Sequence, residues 1–285
     1  MPKTTKTTKK AVRTSASSAK AKVKTKSKSA AKPHQRRKAD QYNDPKHNYR
    51  KYWQGREYEH AAEEIAIRKL LKGKHFKNAV DIGGGYGRLC LLLEDYADKV
   101  TLAEPSQQQI DLAKDFLKGH PEIDRKLMQA DDLKFDDGSL DLVTMIRVMH
   151  HLPDPSPEFE EISRVLSADG VAIIEVANYL HMRNRLKHMA RLERMPVKPV
   201  DIRSEANKRA DEIPFVNHNP YTVLRQLEHA GLRASAVLSV SNLRSVRLKQ
   251  VMPRSVMLGA EHVLQRPLAW VYFGPSIFFL VRKAR

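Results

Sequence analysis

One stretch constrains the fold more than any other: Asn78-Ala79-Val80-Asp81-Ile82-Gly83-Gly84-Gly85-Tyr86-Gly87-Arg88. An apolar strand runs into Asp81, then into glycines at 83, 85 and 87, then into the start of a helix. Glycine reaches backbone conformations closed to other residues and leaves bare peptide against a neighbour. In open α/β sheets such turns sit at the carboxyl ends of strands, where ligands bind. The spacing excludes two phosphate motifs. A dinucleotide fingerprint starting at Gly83 needs glycine or alanine at 88, where Arg88 stands, and a P-loop needs Gly-Lys-Ser/Thr. A plain tight turn with no ligand is the competing reading.

The flanking chain alternates strand and helix. Tyr58, Ala61, Ala62 and Ile65 recur at helical spacing, which predicts a helix to about Leu71, ended by Gly73. Ala79–Ile82 is expected as a strand, followed by a helix from Arg88 to about Tyr96. Val100–Ala103 is a second strand, and Ser106 with Gln109 has capping-box spacing for the next helix. Leu127-Met128, Asp141–Ile146 and Val171–Val176 are further strands, with a helix over Phe159–Leu166. Residues 181–218, basic and Met-rich, break the rhythm. A helix over Tyr221–Ala230, a strand near Ala236–Val240 and a last strand at Ser276–Val281 complete the pattern. The apolar run Leu268–Val281 reads as buried strand. This alternation argues for a doubly wound, mostly parallel sheet with right-handed crossovers.

Glu104 ends the second strand, where a carboxylate accepts hydrogen bonds from a ribose diol. Gln129-Ala130-Asp131-Asp132 follows the third. Taken together, Val80–Arg88, Ala103–Ser106, Ala130–Val143, His150–Leu152 and Ile162–Val176 resemble class I S-adenosylmethionine (SAM) dependent methyltransferases of type 11. That group includes ubiquinone and menaquinone biosynthesis enzymes. The resemblance spans about residues 76–180. It implies a Rossmann-like seven-strand class I methyltransferase sheet, mostly parallel with an antiparallel last strand, and SAM as cofactor. By that resemblance Asp81, Gly83, Gly85, Gly87, Glu104, Gln129, Ala130, Asp131 and Arg147 contact the cofactor. The family usually has Asp where this chain has Gln129, so Gln129 or Asp131 serves the adenine. His150 and His151 are the candidate catalytic residues, either as a proton acceptor or as pocket lining. No Asn/Asp-Pro-Pro-Tyr/Phe signature ends the fourth strand, and Cys90, the single cysteine, reads as core. Both facts count against common nucleobase chemistries, and no metal site is expected.

Charge is spread unevenly. Residues 1–40 carry fourteen Lys/Arg against Asp40, whereas residues 41–180 carry eighteen basic and twenty-five acidic residues. The net charge of +18 therefore describes the ends, not the central region. Residues 1–48 read as a disordered Lys-rich tail, suited to non-specific contact with nucleic acid or an anionic surface through residues 1–40. Residues 49–285 read as the methyltransferase domain, with 181–218 a basic insertion or lid. Arg183, Arg185, Lys187, Arg191, Arg194 and Lys198 are its candidates for an acidic acceptor. Tyr52, Trp53 and Arg56 either close the pocket from the other side or pack as core. No apolar stretch is long enough to span a membrane, and the expected location is cytoplasmic. The expected activity is methyl transfer to a small-molecule or lipid-type acceptor. The alternative is an RNA methyltransferase, or a nucleic-acid-binding protein anchored by its tail.

Overall fold

In a computed structural model, residues 1–2, 42–44, 53–210 and 212–284 are described. Seven strands form the main sheet: β1 Phe76–Ile82, β2 Ala97–Glu104, β3 Asp124–Leu127, β4 Leu140–Met145, β5 Leu166–Ala177, β8 Leu232–Val240 and β9 Ser276–Lys283. A ribbon of β6 Val200–Asp201 and β7 Val216–Asn217 lies apart from it. The sheet order is β3-β2-β1-β4-β5-β9-β8. Only β9 runs antiparallel, pairing with β5 and β8. The expected mostly parallel sheet with an antiparallel last strand is the one observed.

Alternation along the central strands explains why both faces are covered. Ala79, Leu142, Ile173 and Phe278 point into one apolar core, and Val80, Val143, Ile174 and Phe279 into another. A strand buried on both faces reads as a continuous apolar run, as β4 and β5 do. The first face is covered by helices α1 Glu57–Leu70, α2 Cys90–Leu93 and α3 Gln107–Phe116, and the second by α4 Ser156–Val165 and α7 Pro220–His229. Two short helices, α5 Met182–Ala190 and α6 Glu205–Arg209, belong to the insertion. Helices α8 Val246–Val251 and α9 Arg254–Ala269 precede β9. Strand order reverses between β1 and β4, which opens a crevice at their carboxyl ends.

Two expectations need correction, and one helix is unforeseen. The helix over Arg88–Tyr96 shrinks to α2 because the chain leaves Gly87 in tight turns, with Cys90 N–H bonding Gly87 O and Leu92 N–H bonding Leu89 O. The run Leu268–Val281 is not one strand. Leu268 and Ala269 end α9, Trp270 lies exposed, and β9 begins only at Ser276. Helix α9 itself escapes the sequence pattern because its inward positions are Met257, Glu261, Gln265 and Ala269. Two polar residues face in, so no apolar period appears. Their partners explain the burial. Glu261 accepts hydrogen bonds from Tyr58 Oη (2.7 Å) and from the Asn242 backbone and side chain (3.0 Å each), and Gln265 donates to Ala62 O (2.9 Å).

Most of the proposed tail, and Tyr52, lie outside the described residues. Tyr42–Asp44 are described, and they contact the domain. Ser106 Oγ lies 2.7 Å from Tyr42 O, and the Tyr42 hydroxyl lies 2.8 Å from His151 Nε2. Among the described residues no helix is long and apolar enough to cross a membrane.

Candidate active site

The glycine turn has the geometry its sequence demands. Gly83, Gly85 and Gly87 have φ of 63°, 61° and 86°, values that L residues adopt only at a cost. A Cβ on Gly83 would lie 2.4 Å from Val148 Cγ2, and one on Gly84 would meet the Asp81 carboxylate. The loop thus packs tightly against its own scaffold.

Asp81 sits beneath this turn, 1% exposed. Its carboxylate accepts a hydrogen bond from Thr144 Oγ1 at 2.7 Å, across the β1–β4 pair. Burial pushes its pKa up to about 6, against the pull of Thr144 and Arg88. The unfolded chain would titrate near about 4. Between these values the native state holds more protons, so this group's contribution to stability falls as pH rises and levels off above its folded pKa. In urea denaturation without ligand, Asp81→Asn should therefore gain stability relative to the parent between pH about 5 and about 7.5. A pH-independent difference would remove the buried charge from the account. Cys90, the expected core thiol, is fully buried beside Asp81.

Glu104 lies at the carboxyl end of β2, 5% exposed. Its two oxygens accept from Gly85 N–H and Ser106 N–H, both at 2.9 Å. One carboxylate therefore joins the glycine turn to the start of α3. Ser106 caps that helix by accepting from Gln109 N–H (3.2 Å), as the spacing predicts. The reciprocal half of the capping box is missing: the buried Gln109 amide has no hydrogen-bond partner among the described residues. Gln129, Ala130 and Asp131 form a tight turn after β3, with Asp132 N–H reaching Gln129 O. Gln129 is exposed, and Ala130 packs on the second core.

A second region lies beyond β4 and β5. A cavity of about 260 Å³ is lined there by residues including Arg147, His150, Glu175, Asn178 and Ser276. Arg147, placed by the sequence at the cofactor, lines this cavity, with an unusual φ of 61°. Two carboxylates hold it there. Glu175 accepts from its backbone N–H (3.1 Å), and Glu63 from its Nε (2.6 Å). Glu63 is fully buried and also binds Arg88 Nη2 at 2.6 Å. Burial alone would raise its pKa, but Arg147 and Arg88 outweigh that and hold it low. Trp53, buried at 8%, stacks under Arg88 at 3.8 Å and Arg147 at 5.1 Å. Its role is packing beneath the two guanidinium groups. Arg56, by contrast, lines the cavity.

The two histidines differ. The His151 Nδ1 donates to Pro214 O (2.8 Å), which leaves Nε2 as acceptor for the Tyr42 hydroxyl. His150 is 9% exposed, packs 4.5 Å from the Phe215 ring, and has no hydrogen bond among the described residues. Burial, then the charges of His151 and Arg147, hold its pKa well below the usual histidine value. It is a neutral imidazole at physiological pH and the one with a nitrogen to spare. Of residues 181–218, His181, Ile202, Phe215 and Asn217 reach the cavity. The expected basic residues do not: Arg183, Lys187, Arg191, Arg194 and Lys198 are exposed, and Arg185 bonds Leu180 O. A Glu inside the apolar run Val171–Val176 was the signal available for Glu175. Glu63 gave none, because acids on helix surfaces are common.

Residues 80–174 match the model of a methyltransferase domain family, Methyltransf_11. A Bacillus subtilis (strain 168) protein described as the uncharacterized methyltransferase YcgJ is 29% identical over 93 residues, 32% of this chain and 37% of that one. A Dictyostelium discoideum protein named as a methyltransferase is 34% identical over 96 residues, 34% of this chain and 35% of that one. The chain thus aligns with little more than a third of the length of either curated relative. Among solved structures, a possible histamine N-methyltransferase from Thermotoga maritima superposes with TM-score 0.59 at 16% identity, over 82% of this chain and 94% of that one. The cyclase SpnF superposes with TM-score 0.53 at 17% identity, over 79% and 81%. These structural likenesses concern the fold. The resemblance to the ubiquinone and menaquinone subgroup has no counterpart in them.

Proposed function

We propose that this protein is a SAM-dependent methyltransferase acting on a small molecule, with residues 80–174, the span of the family match, as its cofactor-binding part. The observation that carries the reading is the placement of Glu104. It is buried at the end of β2 and fixed by Gly85 N–H and Ser106 N–H. A carboxylate at the end of the second strand of such a sheet is placed to accept hydrogen bonds from a ribose diol. The donor set fits SAM: a bare glycine turn for the methionyl and ribose parts, Glu104 for the diol, and the Gln129–Asp131 turn for adenine. Bound SAM supplies a methyl group already activated on sulfur. The protein's part is then to align the acceptor and exclude water. His150 suits the acceptor's proton, being neutral and otherwise unbonded. His151 holds position between Pro214 and Tyr42.

The size of the acceptor cavity favours a small molecule over a polymer, since about 260 Å³ lies at the low end of ligand pockets. The test is incubation of the full chain with methyl-labelled SAM and a cell extract. Label in the small-molecule fraction is expected. Label confined to RNA would move the reading to the nucleic-acid alternative. SAM binding without any label transfer would place the chain beside fold relatives of other chemistry.

A further inference from the structure

The turn after β8 contains a feature the methyl-transfer reading does not use. Ser241 follows the strand with φ of 60° and is 2% exposed. Its Oγ is buried and has no hydrogen-bond partner among the described residues. An unsatisfied buried hydroxyl costs about 1–3 kcal/mol, and a non-glycine residue in this conformation costs about 1–2 kcal/mol more. Strain and an orphaned polar group together mark places where a ligand completes the structure. Three residues later Arg244 lines the same cavity. No hydrogen bond or ion pair engages its guanidinium among the described residues, although Glu59 lies near. Glu59 is taken by Lys249 Nζ at 2.7 Å, and Glu63 by Arg88 and Arg147.

The charge count points the same way. The cavity lining holds Arg56, Arg147 and Arg244 against Glu175 alone, a balance of +2 with histidines neutral. Adding the buried Glu63 and Arg88 leaves it at +2. Glu175 is itself committed to Arg147 N–H and Ser276 Oγ. Desolvation and then the charges of Arg147 and Arg56 disfavour the Arg244 cation, Glu59 and Glu175 offset this in part, and the side chain keeps an exposed side toward solvent. The turn is anchored between the two residues. Asn242, between the two residues, is fixed by Glu261 of α9 through its N–H and its side chain. That contact gives the inward acid of α9 a purpose.

Resting on the methyl-transfer reading, we propose that the acceptor carries a carboxylate or phosphate group, bound by the Ser241 hydroxyl and the Arg244 guanidinium with Arg56 and Arg147 beside them. Arg147 lines the same cavity as Ser241, Arg244 and His150. A planar guanidinium matches either oxyanion in a two-pronged geometry that an ammonium does not.

Calorimetric titration of the full chain with benzoate, phenyl phosphate and uncharged benzamide tests this without requiring turnover. Benzoate or phenyl phosphate should bind at least about tenfold more tightly than benzamide, and the stronger of the two identifies the oxyanion. Arg244→Gln should weaken that binding by about 10–100-fold, Ser241→Ala by about 3–10-fold, and Arg244→Lys should fall between parent and Arg244→Gln. Thermal melting of each variant verifies that it is folded. If Arg244→Gln fails to fold, Ser241→Ala and Arg244→Lys carry the test. Equal affinity for benzoate, phenyl phosphate and benzamide, no binding of either anion, or unaltered binding in the folded variants would overturn the proposal. SAM titrated into the same sample reports separately on the cofactor reading, so failure of one is distinguishable from failure of the other.

Discussion

Replacing Glu63 by alanine is expected to destabilise the fold by about 3–5 kcal/mol, the range for removing one member of a buried ion pair. Glu63 has no exposed side-chain surface, and the Arg88 and Arg147 side chains that share it are 8% and 17% exposed. Without the carboxylate, two guanidinium groups stacked near one Trp53 ring would face each other with no intervening charge. Neither can shed its proton to escape. The loss would spread to both halves of the site. Arg88 follows the glycine turn, and Arg147 lines the acceptor cavity. Glu63→Gln keeps the volume and one acceptor oxygen, so its loss should be smaller. Urea denaturation at neutral pH measures both. A loss under about 1 kcal/mol for Glu63→Ala would mean that water replaces the carboxylate at little cost, and that the triad is no keystone.

Glu104→Ala should weaken SAM binding by about 1–3 kcal/mol, or about 5–150-fold. Two effects combine. The diol would lose its acceptor, and the N–H groups of Gly85 and Ser106 would lose theirs. The second effect makes the variant informative beyond affinity, because the turn conformation itself rests on that carboxylate. Glu104→Gln separates the two. Its single amide oxygen can serve one N–H, and its NH₂ group donates where the carboxylate accepted. Calorimetric titration of SAM into both variants decides the point. An unchanged affinity in Glu104→Ala would leave Glu104 as a support for the loop and remove it from the cofactor.

The parts legible in the sequence are those whose chemistry is local. Asp81, the glycines and Glu104 announce themselves because a turn and a strand end restrict what each position tolerates. The alternation of apolar runs then brings their strands side by side. The His150-His151 pair is visible for the same reason, but its division of labour is not. That depends on Pro214 and Tyr42, far away in the chain. Glu63 looks like one more acid on an exposed helix until Arg88 and Arg147 converge on it. Ser241 and Arg244 sit in a turn with no motif, and α9 hides because it buries Glu261 and Gln265. Polar groups that are satisfied only by distant partners leave no periodic trace.

The contact at Ser106 has a consequence for traffic through the cleft. A serine hydroxyl has one hydrogen, yet Ser106 Oγ has two acceptors within reach, Tyr42 O at 2.7 Å and the Asn43 side-chain oxygen at 2.9 Å. Its lone pairs meanwhile serve the Gln109 N–H. The Ser106 contact with Tyr42 and Asn43 therefore turns on a single proton, beside the separate bond of the Tyr42 hydroxyl to His151. Giving it up costs one ordinary hydrogen bond at that end, on the order of 1 kcal/mol, while the helix cap behind it stays intact. The Ser106 end of this contact can be released without disturbing the start of α3.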